Sequence, residues 1–260
     1  GITYYYFIKA ATNSSGGYAS DYSVGNGGAI LIELLADDSY ENVSVNPNYF
    51  YINNSSSYWY AVGIRPSLSS DDWDINMFSD ATMTTQLAYS YQGMGKVDVI
   101  VVDGNHTPVA NKYVKASRFS GTSSAIIEYE NAEDVIPVGA KYSDTWSSND
   151  VVEIWDIYLP VGTYVFDLDI VSGSADLDFA LYKSNGAAYH IGRYGAVASS
   201  ATFTNGVDEQ FTYTVTTADY YGLCVWSNNG VSTGFNISVN AAGQWLGLVS
   251  HDWHTPGNWN

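Results

Sequence analysis

The sequence predicts an all-β protein built from two tandem β-sandwich, jelly-roll-like domains. Three observations lead there. Aromatic residues make up 15% of the chain, with 23 Tyr and 8 Trp among abundant Gly, Ser, Asn and Thr, a mixture that favours strands and turns over helices. Short apolar or alternating runs are separated by turns about every 8–12 residues, the spacing of a sandwich. The phrase Asp72-Trp73-Asp74-Ile75-Asn76-Met77-Phe78 returns 104 residues later as Asp176-Leu177-Asp178-Phe179-Ala180-Leu181-Tyr182. That period is too long for a solenoid and fits tandem globular domains.

Taken in order, residues 2–10 read as a strand apolar on both faces, Tyr4, Tyr5, Tyr6, Phe7 and Ile8 at its heart. Such a run needs cover on both sides, from its own domain or as a strand completing another subunit's sheet. Residues 29–36 fit a buried strand or a helix, and their short continuous apolarity favours the strand. Segments 48–52, 58–64, 97–102 and 125–130 complete the first module. Pro137 and Gly139 lie in a candidate linker, 131–149. In the second module strands are expected at 151–159, 162–170, 176–182, 201–203, 210–216, 220–226 and 234–239, with turns at Asn185-Gly186, Asn205-Gly206 and Asn228-Asn229-Gly230. No long helix is expected. The domain reading is therefore 1–135, 136–240, and a Trp-rich tail, 241–260.

Charge narrows the partners. Acids outnumber bases 27 to 9, a net charge of −18. A polyanion repels phosphates, which argues against nucleic acid and against docking on anionic lipid. No apolar stretch approaches the roughly 20 residues of a transmembrane helix. Cys224, the only cysteine, lies in an apolar strand and is expected to be a buried thiol, so no intrachain disulfide forms. The chain opens at Gly1 and closes on Trp253-His254-Thr255-Pro256-Gly257-Asn258-Trp259-Asn260, which reads as a piece of a longer exported polypeptide.

Three stretches of the second module, Leu159-Pro160-Val161-Gly162-Thr163-Tyr164, Ser174 to Tyr182, and Ala218-Asp219-Tyr220-Tyr221-Gly222-Leu223-Cys224-Val225, carry a family likeness. Over roughly residues 150–240 they resemble the bacterial pre-peptidase C-terminal domain, a sandwich appended to secreted proteases and surface proteins. The first module looks like a diverged copy that lacks the Pro-x-Gly-Thr turn. Trp245-Leu246-Gly247 and the closing Trp-rich phrase resemble the start of Trp/Asn-Trp repeats of bacterial surface proteins. The resemblance implies a non-catalytic accessory or surface module; related modules bind calcium or matrix polymers.

Candidate chemistry is sparse. Residues two apart on a strand share a face, so Asp72/Asp74 and Asp176/Asp178 each present two carboxylates. Those pairs fit Ca2+, a hard ion that takes oxygen ligands; the competing reading is a turn cap beside a solvated acid. A glycosidase pair is disfavoured because both modules carry the motif. His251 and His254 bracket Asp252 without an evident third metal ligand, and His106 and His190 stand in polar loops. Gly-x-Ser-x-Gly, the P-loop and Gly-x-Gly-x-x-Gly patterns are lacking, so no enzyme is expected. Tyr58, Trp59, Trp73, Tyr89 and Tyr91 are candidates for a sugar platform or for core packing. Sequons at Asn13, Asn42, Asn53, Asn54, Asn105 and Asn236 permit glycosylation.

These readings combine into an extracellular, non-catalytic structural protein of a cell surface or filament, self-associating through residues 4–8 and through Trp245, Trp253 and Trp259. The rival is a carbohydrate- or matrix-binding accessory region of a larger secreted hydrolase.

Overall fold

The computed structural model describes residues 32–54, 57–132, 136–184, 188–201, 204–243 and 254, and these described residues fall in one compact unit. β-Branched and aromatic runs extend into strands that assemble four sheets. Sheet I runs β1 (Glu33–Leu34), β3 (Asn48–Ile52), β8 (Lys112–Ser120), β5 (Asp72–Phe78), β6 (Gln86–Ser90). Sheet II runs β14 (Tyr189–Ile191), β7 (Asp98–Val102), β4 (Tyr60–Pro66), β9 (Ala125–Asn131), β2 (Ser39–Val43). Sheet III runs β11 (Val152–Leu159), β17 (Asp219–Ser227), β13 (Leu177–Lys183), β15 (Ala198–Ser200). Sheet IV runs β10 (Lys141–Trp146), β18 (Thr233–Ala241), β12 (Gly162–Gly173), β16 (Glu209–Val215). Among the described residues the sole helical element is a 3-10 turn, Gly192–Gly195. The all-β sandwich class is borne out.

The two sandwiches share one topology. Set β1 and β14 aside, and β2–β9 match β10–β13 plus β15–β18 strand for strand. In each copy the first, third, sixth and eighth strands form one sheet in the order 6-3-8-1, and the rest form the other in the order 2-7-4-5. That is the eight-stranded jelly roll. Registers repeat as well: Ile64 opposes Asp98 as Leu168 opposes Glu209, and Ile75 opposes Ser90 as Phe179 opposes Ser200.

Three apolar cores hold the four layers. Sheets I and II close on Phe50, Trp73, Ile75, Val62, Ile64 and Val102, and sheets III and IV on Trp155, Phe166, Phe179, Leu223 and Phe235. A third core lies between sheets II and III, where Trp59, Ala61, Val99 and Val101 meet Ile154, Ala180, Tyr182, Cys224 and Trp226. Strands β4 and β17 are therefore buried on both faces: Tyr60, Val62 and Ile64 face one core while Ala61 faces another. The excursion between β13 and β15 leaves the second sandwich and adds β14 to the edge of β7 in the first.

Several element readings change. The proposed linker 131–149 contains β10, hydrogen-bonded to β18 from Lys141 to Trp146. Of the strand expected at 29–36, the described part is the two-residue β1, parallel to β3, and residues 29–31 lie outside the described residues. Of the strand expected at 201–203, residues 202–203 lie outside the described residues; the described strand nearby is β15, over Ala198–Ser200.

Candidate metal centre

Asp72 and Asp74 sit on β5 just past the end of β6, whose last residue, Ser90, pairs with Ile75. Asp98 opens β7 in the facing sheet. A carboxylate oxygen from each of the three comes within 4.8 Å of the other two. The 91–97 connection is drawn against this site by Gly95, whose N–H donates to the Asp71 carbonyl at 2.8 Å. Gly95 has φ of +70°, and a Cβ there would stand 2.6 Å from the Ser69 carbonyl oxygen, so the close approach requires glycine.

The hydrogen bonding of this cluster is incomplete. Asp98 is 0% exposed; its Oδ1 accepts from the Ser90 hydroxyl and from the Gln92 N–H at 2.8 Å. Among the described residues its Oδ2 has no donor, and neither has the buried Oδ1 of Asp72. The Ser117 hydroxyl, on the β8 residue opposite Asp74, is likewise buried without a partner. Burial, followed by the nearby Asp74 and Asp72 charges, pushes the Asp98 carboxyl up to about 7, although Ser90 and Gln92 pull it down. Burial and then Asp72 push Asp74 up to about 6. Asp71 next door is the contrast: the Ser123 hydroxyl and N–H donate to its Oδ2, Ser70 donates to its Oδ1, and its pKa falls, led by the Ser123 hydroxyl.

The same constellation recurs in the second sandwich, with different partners. Glu209 occupies the position of Asp98 and accepts from Ser200 as Asp98 accepts from Ser90. Asn228 donates to Asp178 Oδ2 at 2.9 Å, and Asn229 Oδ1 accepts the Asp176 N–H at 3.1 Å. Burial raises the Asp176 carboxyl, while Lys96, from the 91–97 connection of the first sandwich, and Asn228 hold it down. An amide and a lysine thus meet the second pair of aspartates. Among the described residues only the first pair gathers a third acid within metal-ligand distance. Asp98 and Glu209 escaped the sequence reading. Their signal was the serine that precedes each, Ser90 by eight residues and Ser200 by nine, at matching places in the repeat.

Other predicted residues fall elsewhere. Trp59 and Trp73 are fully buried in the third and first cores and leave the sugar-platform set, because a ring with no exposed face cannot stack on a pyranose. Tyr58, Tyr89 and Tyr91 remain exposed, the last two stacked at 4.7 Å. His190 is buried in β14, its ring 5.5 Å from that of Trp59, so the polar-loop reading is corrected; burial lowers its pKa. His106 is exposed and its Nδ1 lies 2.8 Å from Asp103. Cys224 is buried, and burial drives its thiol pKa up. Of the sequons, Asn42, Asn53 and Asn105 are exposed, Asn236 is half-buried, and Asn54 is buried. Residues 4–8, Asn13, Trp245, His251, Trp253 and Trp259 lie outside the described residues, whereas His254 is exposed. A second acidic feature, an open cleft of about 420 Å³, is lined by Asp37, Asp38, Glu130, Asp144 and Glu153.

No family model matches the chain, and no curated protein matches it. Solved structures with some likeness include the PBSX exported protein XepA, at a TM-score of 0.25 and 7% identity over 92% of this chain and 100% of that one. Another is the T=3 Penaeus vannamei nodavirus, at 0.24 and 11% over 90% and 100%. A third is the infectious bursal disease virus VP2 subviral particle, at 0.20 and 9% over 73% and 58%. Likenesses this slight identify neither a family nor a role.

Proposed function

We propose that this chain is a non-catalytic structural building block, exported to a cell surface or filament, that self-associates with identical subunits. The observation that carries the reading is the third apolar core, which fixes one jelly roll face to face on its copy. Apolar surface buried between the sandwiches holds the two repeats rigidly together, as a structural module requires. The outward face of sheet IV is polar, with Thr163 against Thr214 and Ser143 against Asn236. Contacts with neighbours therefore belong to strand edges and terminal segments, with residues 4–8 and the Trp-rich tail as the first candidates. Electron microscopy of the native material, with and without EDTA, tests this. Regular filaments or sheets support it, and dispersed single particles under both conditions overturn it.

The exposed, stacked Tyr89 and Tyr91 favour a second reading, polysaccharide or matrix binding by an accessory region. Asn76 donates to the Tyr91 hydroxyl at 2.8 Å and fixes that ring. Jelly rolls occur in capsid and lectin domains alike, so the fold favours neither reading. Retention on a polysaccharide column that is lost in Tyr89→Ala/Tyr91→Ala would select the second.

A further inference from the structure

We propose that Asp72, Asp74 and Asp98 bind one Ca2+ ion, and that the equivalent residues of the second sandwich, Asp176, Asp178 and Glu209, bind none. The inference stands apart from the structural role argued above. Its basis is a difference between two copies of one constellation. Both place two aspartates at the start of the fourth jelly-roll strand, Asp176 just before it, and a buried acid, bonded to serine, at the start of the sixth. In the second copy protein groups meet the aspartates: the Asn228 amide reaches Asp178, and Lys96 lies near Asp176. In the first copy Asp98, wholly buried and with a carboxylate oxygen within 4.8 Å of oxygens of Asp72 and Asp74, has an Oδ2 with no donor among the described residues, and Asp72 Oδ1 and Ser117 Oγ are likewise buried without partners there. Neither described ion pair, Asp103–His106 or Asp169–Lys141, involves the cluster. Three carboxylates this close repel one another, and buried oxygens without partners are costly, so the arrangement calls for a cation.

The donors select the ion. All are oxygens, which excludes the nitrogen and sulfur sets that zinc prefers. Ca2+ accepts irregular shells of about six to eight oxygens at about 2.3–2.6 Å, so oxygens on opposite sides of the ion stand about 5 Å apart. The cluster's oxygens, all within 4.8 Å of one another, can share such a shell. Mg2+ demands a near-ideal octahedron at about 2.0–2.1 Å and gives up its waters reluctantly, so it suits three carboxylates drawn from two sheets less well. A bound ion would tie β5 of sheet I to the first residue of β7 in sheet II, near the 91–97 connection that reaches toward the second sandwich.

The test is calorimetric titration of CaCl2 into the 260-residue chain after EDTA treatment and dialysis, with MgCl2 in parallel and a thermal melt at each end point. The expected result is one Ca2+ per chain, a raised Tm, and weaker binding of Mg2+. Asp74→Asn, at a half-buried position, should weaken Ca2+ binding at least about tenfold, since affinity follows the number of charged ligands. Asp98→Asn should abolish it, and Asp178→Asn should leave it unchanged. If Asp98→Asn does not fold, Asp74→Asn decides alone. Absence of saturable Ca2+ binding by folded protein, or binding indifferent to Asp74→Asn, would overturn the site. Equal affinity for Mg2+ would overturn the choice of ion, and loss of a second Ca2+ in Asp178→Asn would overturn the asymmetry.

Discussion

Gly222 and Gly63 lie where the two sandwiches pack against each other. A Cβ on Gly222 would stand 2.7 Å from the Trp59 indole, and one on Gly63 would stand 2.4 Å from Val152 Cγ1. The indole has no room to retreat, because Trp59 is fully buried and His190 and Tyr182 lie 5.5 and 6.5 Å from it, ring to ring. Gly222→Ala should therefore destabilise the protein by about 1–3 kcal/mol, the ordinary cost of an extra methyl in a packed core. A denaturant titration followed by tryptophan fluorescence measures it. Gly93→Ala is the control: its Cβ meets nothing within 4 Å, and its midpoint should barely move. At this scale the sequence was partly legible. Cys224 reads correctly as a buried thiol because both its neighbours, Leu223 and Val225, are apolar. Asp98 was hidden for the same reason, since Val97-Asp98-Val99 reads as a core strand and the serine that holds its carboxylate comes from another strand.

Strand β14 shows what an element can do that its own sequence does not announce. Tyr189, His190 and Ile191 pair with Val102, Val101 and Ile100, so a segment of the second sandwich closes the edge of the first. The Tyr182 hydroxyl donates to the Gly192 carbonyl at 2.8 Å and anchors the end of the excursion. A proline at position 190 would remove a backbone donor and withdraw the buried imidazole from Trp59. His190→Pro should accelerate amide exchange across residues 100–102 while β12 and β18 keep their protection; hydrogen exchange with mass spectrometry separates the two regions. Equal loss of protection everywhere would mean that β14 is needed for the whole fold. The strands visible in the sequence include those buried on both faces, such as β4, β7 and β17, whose apolar runs are continuous, and others such as β16 and β18, whose apolar residues alternate with polar ones. β2, β8 and β10 passed unread because few of their residues are apolar and buried. In β8, Lys112-Tyr113-Val114-Lys115-Ala116 alternates buried and half-buried residues, and in β10 a single residue, Trp146, is buried. The Asp pairs were legible as a repeat, but their sorting into two chemistries was not, since Lys96 and Asn228 reach the second pair only through the fold.

For the molecule as a whole, the junction of the sandwiches carries charge as well as apolar surface. Glu128 on β9 accepts the Val152 N–H at 2.9 Å and the Val151 N–H, and Arg65 donates to the Asp150 and Ser148 carbonyls at 2.5 and 2.6 Å. Beside them lie Glu130 on β9 and Glu153 on β11, one from each sandwich. Burial, then Asp37, Glu153, Asp38 and Glu128, pushes Glu130 up to about 9; burial, then Asp144, Asp150, Glu128 and Asp38, pushes Glu153 up to about 8. Glu128 rises to about 7, chiefly through burial, with the Val151 and Val152 N–H groups and then Arg65 opposing. These acids hold protons in the folded chain that the unfolded chain releases near the ordinary glutamate pKa. Their contribution to stability is therefore complete below about pH 4.5 and is lost as pH rises through 7 to 9, by up to about 1.4 kcal/mol per pH unit for each retained proton. Because the third core joins both sandwiches, that loss should be felt by the described unit as one body. Scanning calorimetry should show a single transition whose Tm falls between pH 5 and pH 9, with the calorimetric and van't Hoff enthalpies equal. Glu130→Gln should flatten the slope. Two separate transitions, of which only one moves with pH, would mean that the sandwiches unfold independently and that the junction does not couple them.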